Sequence, residues 1–389
     1  MTLLSRGDCS VMAERITFNR PTLEGDELAY VRAAVEGGHT SASGPFSRRA
    51  AELLRAATGA ADVLMTTSCT DALELSALLL DLQPGDTVIV PSFTFVSDAL
   101  AFVRAGARIV FADIESETLG MDPGHVAELL DNTVRAVVPT HYAGVGCDLA
   151  TLEKVLGDAP RATLIEDNAH GLFGAYRNRP LGSFGRFATL SFHETKNFVC
   201  GEGGALLVNQ PEDVARAWTI YDKGTDRRAF MLGQVDKYSW REIGSSFGLS
   251  DILAAYLVAQ LEQRDAILEK RQAVYERYER LLAPHADEHG FRLPVVPLDR
   301  VPAYHMFYVL LPDRAARDRA LASMRERDIH PTFHYVPLHS SEAGRRFSAR
   351  STDCPVTDDI SRRLLRLPFH NALTAGDQER VVEAFLDAL

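Results

Sequence analysis

From about residue 60 to residue 210 the chain repeats one pattern, in which a short apolar run rich in β-branched residues is followed by a segment of helical periodicity. VLMTT (63–67) precedes DALELSALLL and TVIV (87–90) precedes VSDALAFVRAG, while RIVFAD (108–113), AVVPTH (136–141), ATLIED (162–167) and ATLSF (188–192) continue the series. Runs this apolar leave no face for water, so they fit strands covered on both sides of a mainly parallel sheet. The expectation is an α/β fold. Ligands of such sheets sit beyond the carboxyl ends of the strands. The polar residues that follow each run are therefore the place to look for chemistry: Thr67 to Thr70, Ser92 to Phe95, His141 and Tyr142, Glu166 to His170, and Ser191 to Lys196. No GxGxxG or GxxxxGK[ST] pattern follows any of these runs, which argues against a dinucleotide or P-loop site.

Beyond residue 250 the pattern changes. DILAAYLVAQLEQRDAILEKRQAVYERYERLLAP keeps helical spacing over about nine turns up to Pro284, which predicts one long, bent helix leading into a second unit. AYHMFYVLL and RAARDRALASMRERD then suggest a smaller α+β domain. The expected division is an N-terminal arm over 1–24, a large α/β domain over 25–262 and a small C-terminal domain over 263–389. A chain of 389 residues, 46% hydrophobic, is long enough for two cores. Its formal charge of -12 argues against general nucleic-acid binding, so an anionic ligand needs a local site. Five cysteines (Cys9, Cys69, Cys147, Cys200, Cys354) without a CxxC pair fit neither a disulfide scaffold nor a structural zinc site. With no signal-peptide pattern and no apolar span, a soluble cytoplasmic protein is expected.

The stretch SFHETKNFVCGEGG (191–204) poses the chemical question of what Lys196 does. A lysine amine attacks a carbonyl only when neutral, which requires burial or nearby positive charge to lower its pKa from about 10.4. A position just past a buried strand offers that; a solvated loop does not. Asp167, at the end of another buried strand, either caps the next helix or pairs with a cation. One such cation is a protonated pyridine nitrogen. At about 4 Å and an effective dielectric near 20 that pair is worth roughly 4 kcal/mol, or about three pKa units. Ser68 and Thr70 stand at a helix start, where they cap the helix or help its free N–H groups receive a phosphate. Ser191 could add a hydroxyl to the same phosphate. Phe95 either stacks on a planar ring or joins the core. Taken together these parts describe a pyridoxal phosphate site. His193, His334 and His339 could contact a sugar or diphosphate, or could be ordinary loop and core histidines. HETKN lacks the second histidine of HExxH, so no metal is expected there. Cys69 and Cys200 flank the site as packing residues.

The order TSCTDALEL, PSFTFVSDA, VVPTHYAG, IEDNAHG, SFHETKN, GEGGALLVN, KGTDRRAF, GQVDKYSWREIGSS and HYVPLH resembles the DegT/StrS family of nucleotide-sugar aminotransferases, from about residue 16 to the C-terminus. The resemblance implies a fold type I pyridoxal phosphate enzyme and a homodimer with active sites at the interface. It implies Lys196 as the residue bonded to the cofactor, Asp167 on the pyridine nitrogen and His170 on the ring hydroxyl. Phe95 would stack on the ring, Thr70 and Asp71 would hold the phosphate with Ser191, and Ser246 would stand where many relatives offer a partner-subunit asparagine. Asp71 and Asn168 depart from the residues usual in the family. The SFHETKN and GQVDKYSWREIGSS blocks are most similar to the branch that converts a dTDP-4-keto-6-deoxyhexose to its 4-amino-4,6-dideoxy product of galactose configuration, with L-glutamate as amino donor. Action at C3, dehydration and a non-catalytic role are the alternatives, and retention of Lys196 favours transamination. The product is expected to feed a cell-surface polysaccharide.

Overall fold

In the computed structural model, residues 15–157, 159 and 161–389 are described. Cys9 and most of the proposed arm lie outside them. Seven strands form the central sheet: β1 (Asp62–Thr66), β2 (Thr87–Pro91), β3 (Arg108–Ala112), β4 (Val134–Val137), β5 (Thr163–Asp167), β6 (Phe187–Ser191) and β7 (Gly204–Val208). Their order is β1-β7-β6-β5-β4-β2-β3. Strands β3, β2, β4, β5 and β6 pair in parallel, whereas β7 runs antiparallel to both β6 and β1. The mainly parallel α/β sheet expected from the apolar runs is present, and its six parallel strands end on one rim.

Period-two alternation places the side chains on two covered faces. Leu64, Val88, Val90, Leu206 and Val208 pack with the helices Cys69–Leu79 and Ser97–Arg104. Val63, Met65, Ala205 and Leu207 pack on the opposite face with residues of the helices Pro45–Thr58 and Asp251–Glu262, and Ile89, Val110 and Val137 continue that face. A separate apolar cluster holds Tyr278, Phe307, Val309, Leu365 and Phe385, built on the short antiparallel pair Tyr308–Leu310 and Leu364–Arg366 and the helices beside it.

The long helix expected over 251–284 is two helices, Asp251–Glu262 and Arg264–Leu282, broken at Gln263. The break falls where the surroundings change. Eight residues of the first helix are buried, between the sheet and its neighbouring helices, while the second turns one stripe toward the C-terminal cluster. Gln260, just before the break, is held by Thr22 O at 3.0 Å and Glu27 Oε1 at 2.5 Å. Among the described residues no helix is long and apolar enough to cross a membrane.

Candidate active site

The rim gathers residues from five strands. Ser68 caps the helix Cys69–Leu79 by accepting the Asp71 N–H at 3.0 Å, so the earlier N–H groups of the helix face outward, as the first amides of any helix do. Thr70 Oγ1 lies 2.7 Å from Ser97 Oγ, and the Asp71 carboxylate takes the Thr67 hydroxyl. Gly204 begins β7 between Thr66 and Ser191, its register partners on β1 and β6. A Cβ there would come within 2.4 Å of Ser68 C and 2.5 Å of Cys69 N, so the last glycine of GEGG serves close packing against the helix start.

Lys196 lies half-buried in the turn after β6, its N–H bonded to His193 O at 2.9 Å. Burial lowers its amine below the usual lysine range, while Asp167 pulls the other way. Asp167 ends β5 and is buried; its Oδ1 accepts the Ala169 N–H at 3.0 Å. It does not act as a helix cap, because the following residues form a turn rather than a helix. The neighbouring Glu166 points to the opposite side and is fully used. It accepts from Gly182 N, Phe184 N and Gly185 N at 2.8, 2.6 and 2.7 Å and meets His141 Nε2 at 2.9 Å.

His170 is buried with its Nδ1 lacking any partner, and its ring stacks on His305 at 4.1 Å between centroids. Burial, helped by Lys196, pushes both imidazoles well below their usual pKa, so they are neutral. His305 Nδ1 meets Asn197 Oδ1 at 2.8 Å, and Asn197 Nδ2 donates to Ala303 O at 2.6 Å. The residue after Lys196 is thereby tied to the C-terminal part of the chain. Phe95, whose sequence left stacking and core burial open, is 58% exposed in the loop between β2 and the helix Ser97–Arg104, an unusual position for a phenylalanine.

The three histidines singled out for substrate differ. His193 Nδ1 lies 2.9 Å from Thr195 Oγ1 and Nε2 lies 3.6 Å from Glu202, with the ring still partly open. His334 stacks on Tyr335 at 3.9 Å, meets Tyr142 OH at 3.3 Å and accepts from Arg366. His339 Nδ1 is bound to Ser92 Oγ at 2.7 Å, which pins the HYVPLH segment to the end of β2. Ser246 is exposed and lines a separate cavity of about 960 Å³ with Lys223, Arg227, Arg228 and Trp218. Burial raises the Cys69 and Cys200 thiols, the latter to about 12, which suits packing rather than attack. Asn197, His305, Arg366 and Asp98 were not singled out from sequence. The adjacency of Asn197 to Lys196 was a usable signal, whereas the others reach the rim only through tertiary packing.

A neutralisable lysine, a buried carboxylate, an imidazole with a free nitrogen and an open helix start meet on the carboxyl rim of this sheet, an arrangement that fits a pyridoxal phosphate-dependent transferase of fold type I. The chain belongs to the DegT/DnrJ/EryC1/StrS aminotransferase family, whose profile it matches over residues 21–386. Similar solved structures include the aminotransferase TlmJ from Streptoalloteichus hindustanus, at 29% identity and TM-score 0.87, covering 96% of this chain and 98% of that one. DesV from S. venezuelae matches at 28% identity and TM-score 0.86, covering 97% and 99%. Spr1654 from Streptococcus pneumoniae in its PLP form, at 22% identity and TM-score 0.88 over 96% and 98%, shares the fold. The protein is thus an aminotransferase of the sugar aminotransferase family with pyridoxal phosphate as its cofactor.

Proposed function

We propose that the protein transfers an amino group from L-glutamate to the C4 ketone of a dTDP-4-keto-6-deoxyhexose, giving the 4-amino-4,6-dideoxy sugar of galactose configuration. The observation that carries the amino-transfer chemistry is the pairing of a lysine whose amine burial holds below its usual range with the buried Asp167 on the same rim. The sugar and its configuration rest on the likeness of the SFHETKN and GQVDKYSWREIGSS blocks.

The residues fit the cofactor. The orphaned His170 Nδ1 suits the ring hydroxyl, Asp167 the ring nitrogen, exposed Phe95 the ring face, and the amide of Thr70 with the Ser191 hydroxyl the phosphate, whereas the Asp71 amide expected there is taken by Ser68 Oγ. When bound, the cofactor supplies a carbonyl carbon for amines and a ring that stores the electron pair left on carbon. Lys196 holds it between turnovers. Once displaced by the donor, Lys196 Nζ takes the proton from the donor's α-carbon and in the second half delivers one to C4 of the sugar. Neutral His170 and His305 add no charge beside that amine, so it is burial, with help from the Arg366 cation, that favours its basic form. Partly open His193 and half-buried His334 are the histidines assigned to the sugar nucleotide, while His339 acts by holding its segment.

We further infer a cytoplasmic homodimer in which Ser246 faces the partner's phosphate site. Exposed Phe230, Met231, Leu232 and Trp240, on the segment before Ser246, supply apolar surface for such a contact. The test is incubation of the purified protein with glutamate and dTDP-4-keto-6-deoxyglucose, with the product read by NMR. An axial amine at C4 is expected. An amine at C3, or an equatorial one at C4, would contradict the assignment.

A further inference from the structure

Behind Asp167 lies a second buried carboxyl that the transamination chemistry above does not use. Asp98 stands in the first turn of the helix Ser97–Arg104 and is 1% exposed. Its Oδ2 accepts from Thr94 Oγ1 at 2.5 Å and Thr140 Oγ1 at 2.8 Å, and those two hydroxyls lie 2.9 Å apart. Asp98 is also in hydrogen-bond contact with Asp167. Thr140 ties the two together, since its hydroxyl serves Asp98 and its backbone is the bridge partner of Asp167.

Two carboxylates in contact and away from water repel by roughly 4 kcal/mol at about 4 Å, even at an effective dielectric near 20. One proton between them turns that repulsion into a short O–H···O⁻ bond. We propose that Asp98 is a positioning residue of the cofactor's acid–base unit: it keeps one proton between itself and Asp167, orients that carboxylate, and limits how tightly it holds the proton of the ring nitrogen. The threonine hydroxyls occupy Oδ2, which leaves Oδ1 of Asp98 as the O–H donor. Burial first, and then Asp167, raise the Asp98 pKa well above the carboxylate range, against a weaker pull from the two hydroxyls. The other titratable groups near the pair are Lys196, Cys69 and Tyr335, and burial keeps the Cys69 thiol and the Tyr335 hydroxyl protonated. An Asp167 that already accepts one O–H bond is a weaker acceptor toward the ring, so the unit's proton affinity is set by both carboxyls rather than one.

The proposal rests on the assignment of Asp167 to the ring nitrogen, and the experiment separates the two. Apoenzymes of wild type, Asp98→Asn, Asp98→Ala and Asp167→Asn, checked for folding by circular dichroism, are compared by infrared spectroscopy near pH 8. Wild type should show the carbonyl stretch of a buried protonated carboxyl that shifts in deuterated water, and Asp98→Asn should lack it. Pyridoxal phosphate titrations should then show binding weakened about tenfold in Asp98→Ala and mostly restored in Asp98→Asn, whose amide can replace the O–H donor. A wild-type apoenzyme without that band, a band that survives Asp98→Asn, or equal affinities for the Ala and Asn variants would overturn the proposal. Undiminished binding by Asp167→Asn would instead overturn the ring-nitrogen assignment on which it stands.

Discussion

Lys196, Asp167 and His170 divide the chemistry by environment. Burial keeps the lysine's proton loosely held and the His170 imidazole neutral, while Asp167 is the acid placed to stabilise positive charge on the ring. If that charge is worth roughly 4 kcal/mol, its loss should be visible in proton removal from the amino donor. Asp167→Ala is therefore expected to slow the glutamate half-reaction by about 10²- to 10³-fold while Lys196 still bonds to the cofactor. Single-turnover absorbance measurements check this, and a loss smaller than about tenfold would remove Asp167 from its role. Lys196 and Asp167 were legible in sequence because they lie just past and at the end of apolar runs that fit buried strands, whereas the role of His170 came from the likeness to the family. Asp98 was not, because an aspartate in the first turn of a helix ordinarily serves the helix dipole at the surface. Only its hydrogen bond with Thr140, whose backbone is the bridge partner of Asp167, shows that it is buried beside a second acid.

At the scale of elements, the site depends on how β7 enters the sheet. Gly204 brings the strand against the backbone of Ser68 and Cys69, and any side chain would push the phosphate-binding helix start aside. Gly204→Ala should cost about 1–3 kcal/mol of stability and weaken pyridoxal phosphate binding at least tenfold. At Gly201, which has φ of 89° and open space around it, alanine should cost only about 1 kcal/mol through backbone strain and leave binding nearly intact. Thermal unfolding and cofactor titration of the two variants test the contrast. The strands were readable because their apolar runs are short and bounded by turn residues. The break at Gln263 was not, because neither proline nor glycine marks it. It arises where one helix leaves the sheet's core and the next meets the C-terminal cluster, a change of partners that no local pattern encodes. His305 and Arg366 escaped notice for the same reason, since both belong to a part of the chain more than a hundred residues from Lys196 and join the rim through Asn197 and His334.

At the scale of the whole molecule, buried His170, His305 and His370 and half-buried His334 have pKa values lowered by desolvation, His370 to about 4, while buried His141, held by Cys147 and Glu166, is raised to about 10 and offsets part of their effect. Below about pH 6.5 the unfolded chain binds protons that the folded one refuses, so stability is full above that pH and falls as the pH drops. Each histidine contributes up to about 1.4 kcal/mol per pH unit. Urea unfolding of the apoenzyme between pH 7 and pH 5, above the range where most carboxylates titrate, should show a steep loss. A flat profile would mean that these imidazoles charge freely. Three of these neutral imidazoles, His170, His305 and His334, lie near the lysine on which the account turns. The most direct test of that lysine is borohydride reduction of the pyridoxal phosphate-loaded enzyme, followed by peptide mass spectrometry. The cofactor should be found covalently on Lys196 and nowhere else, and the Lys196→Ala variant should carry none. Attachment to another lysine, or no covalent product from a protein that binds the cofactor, would contradict the account.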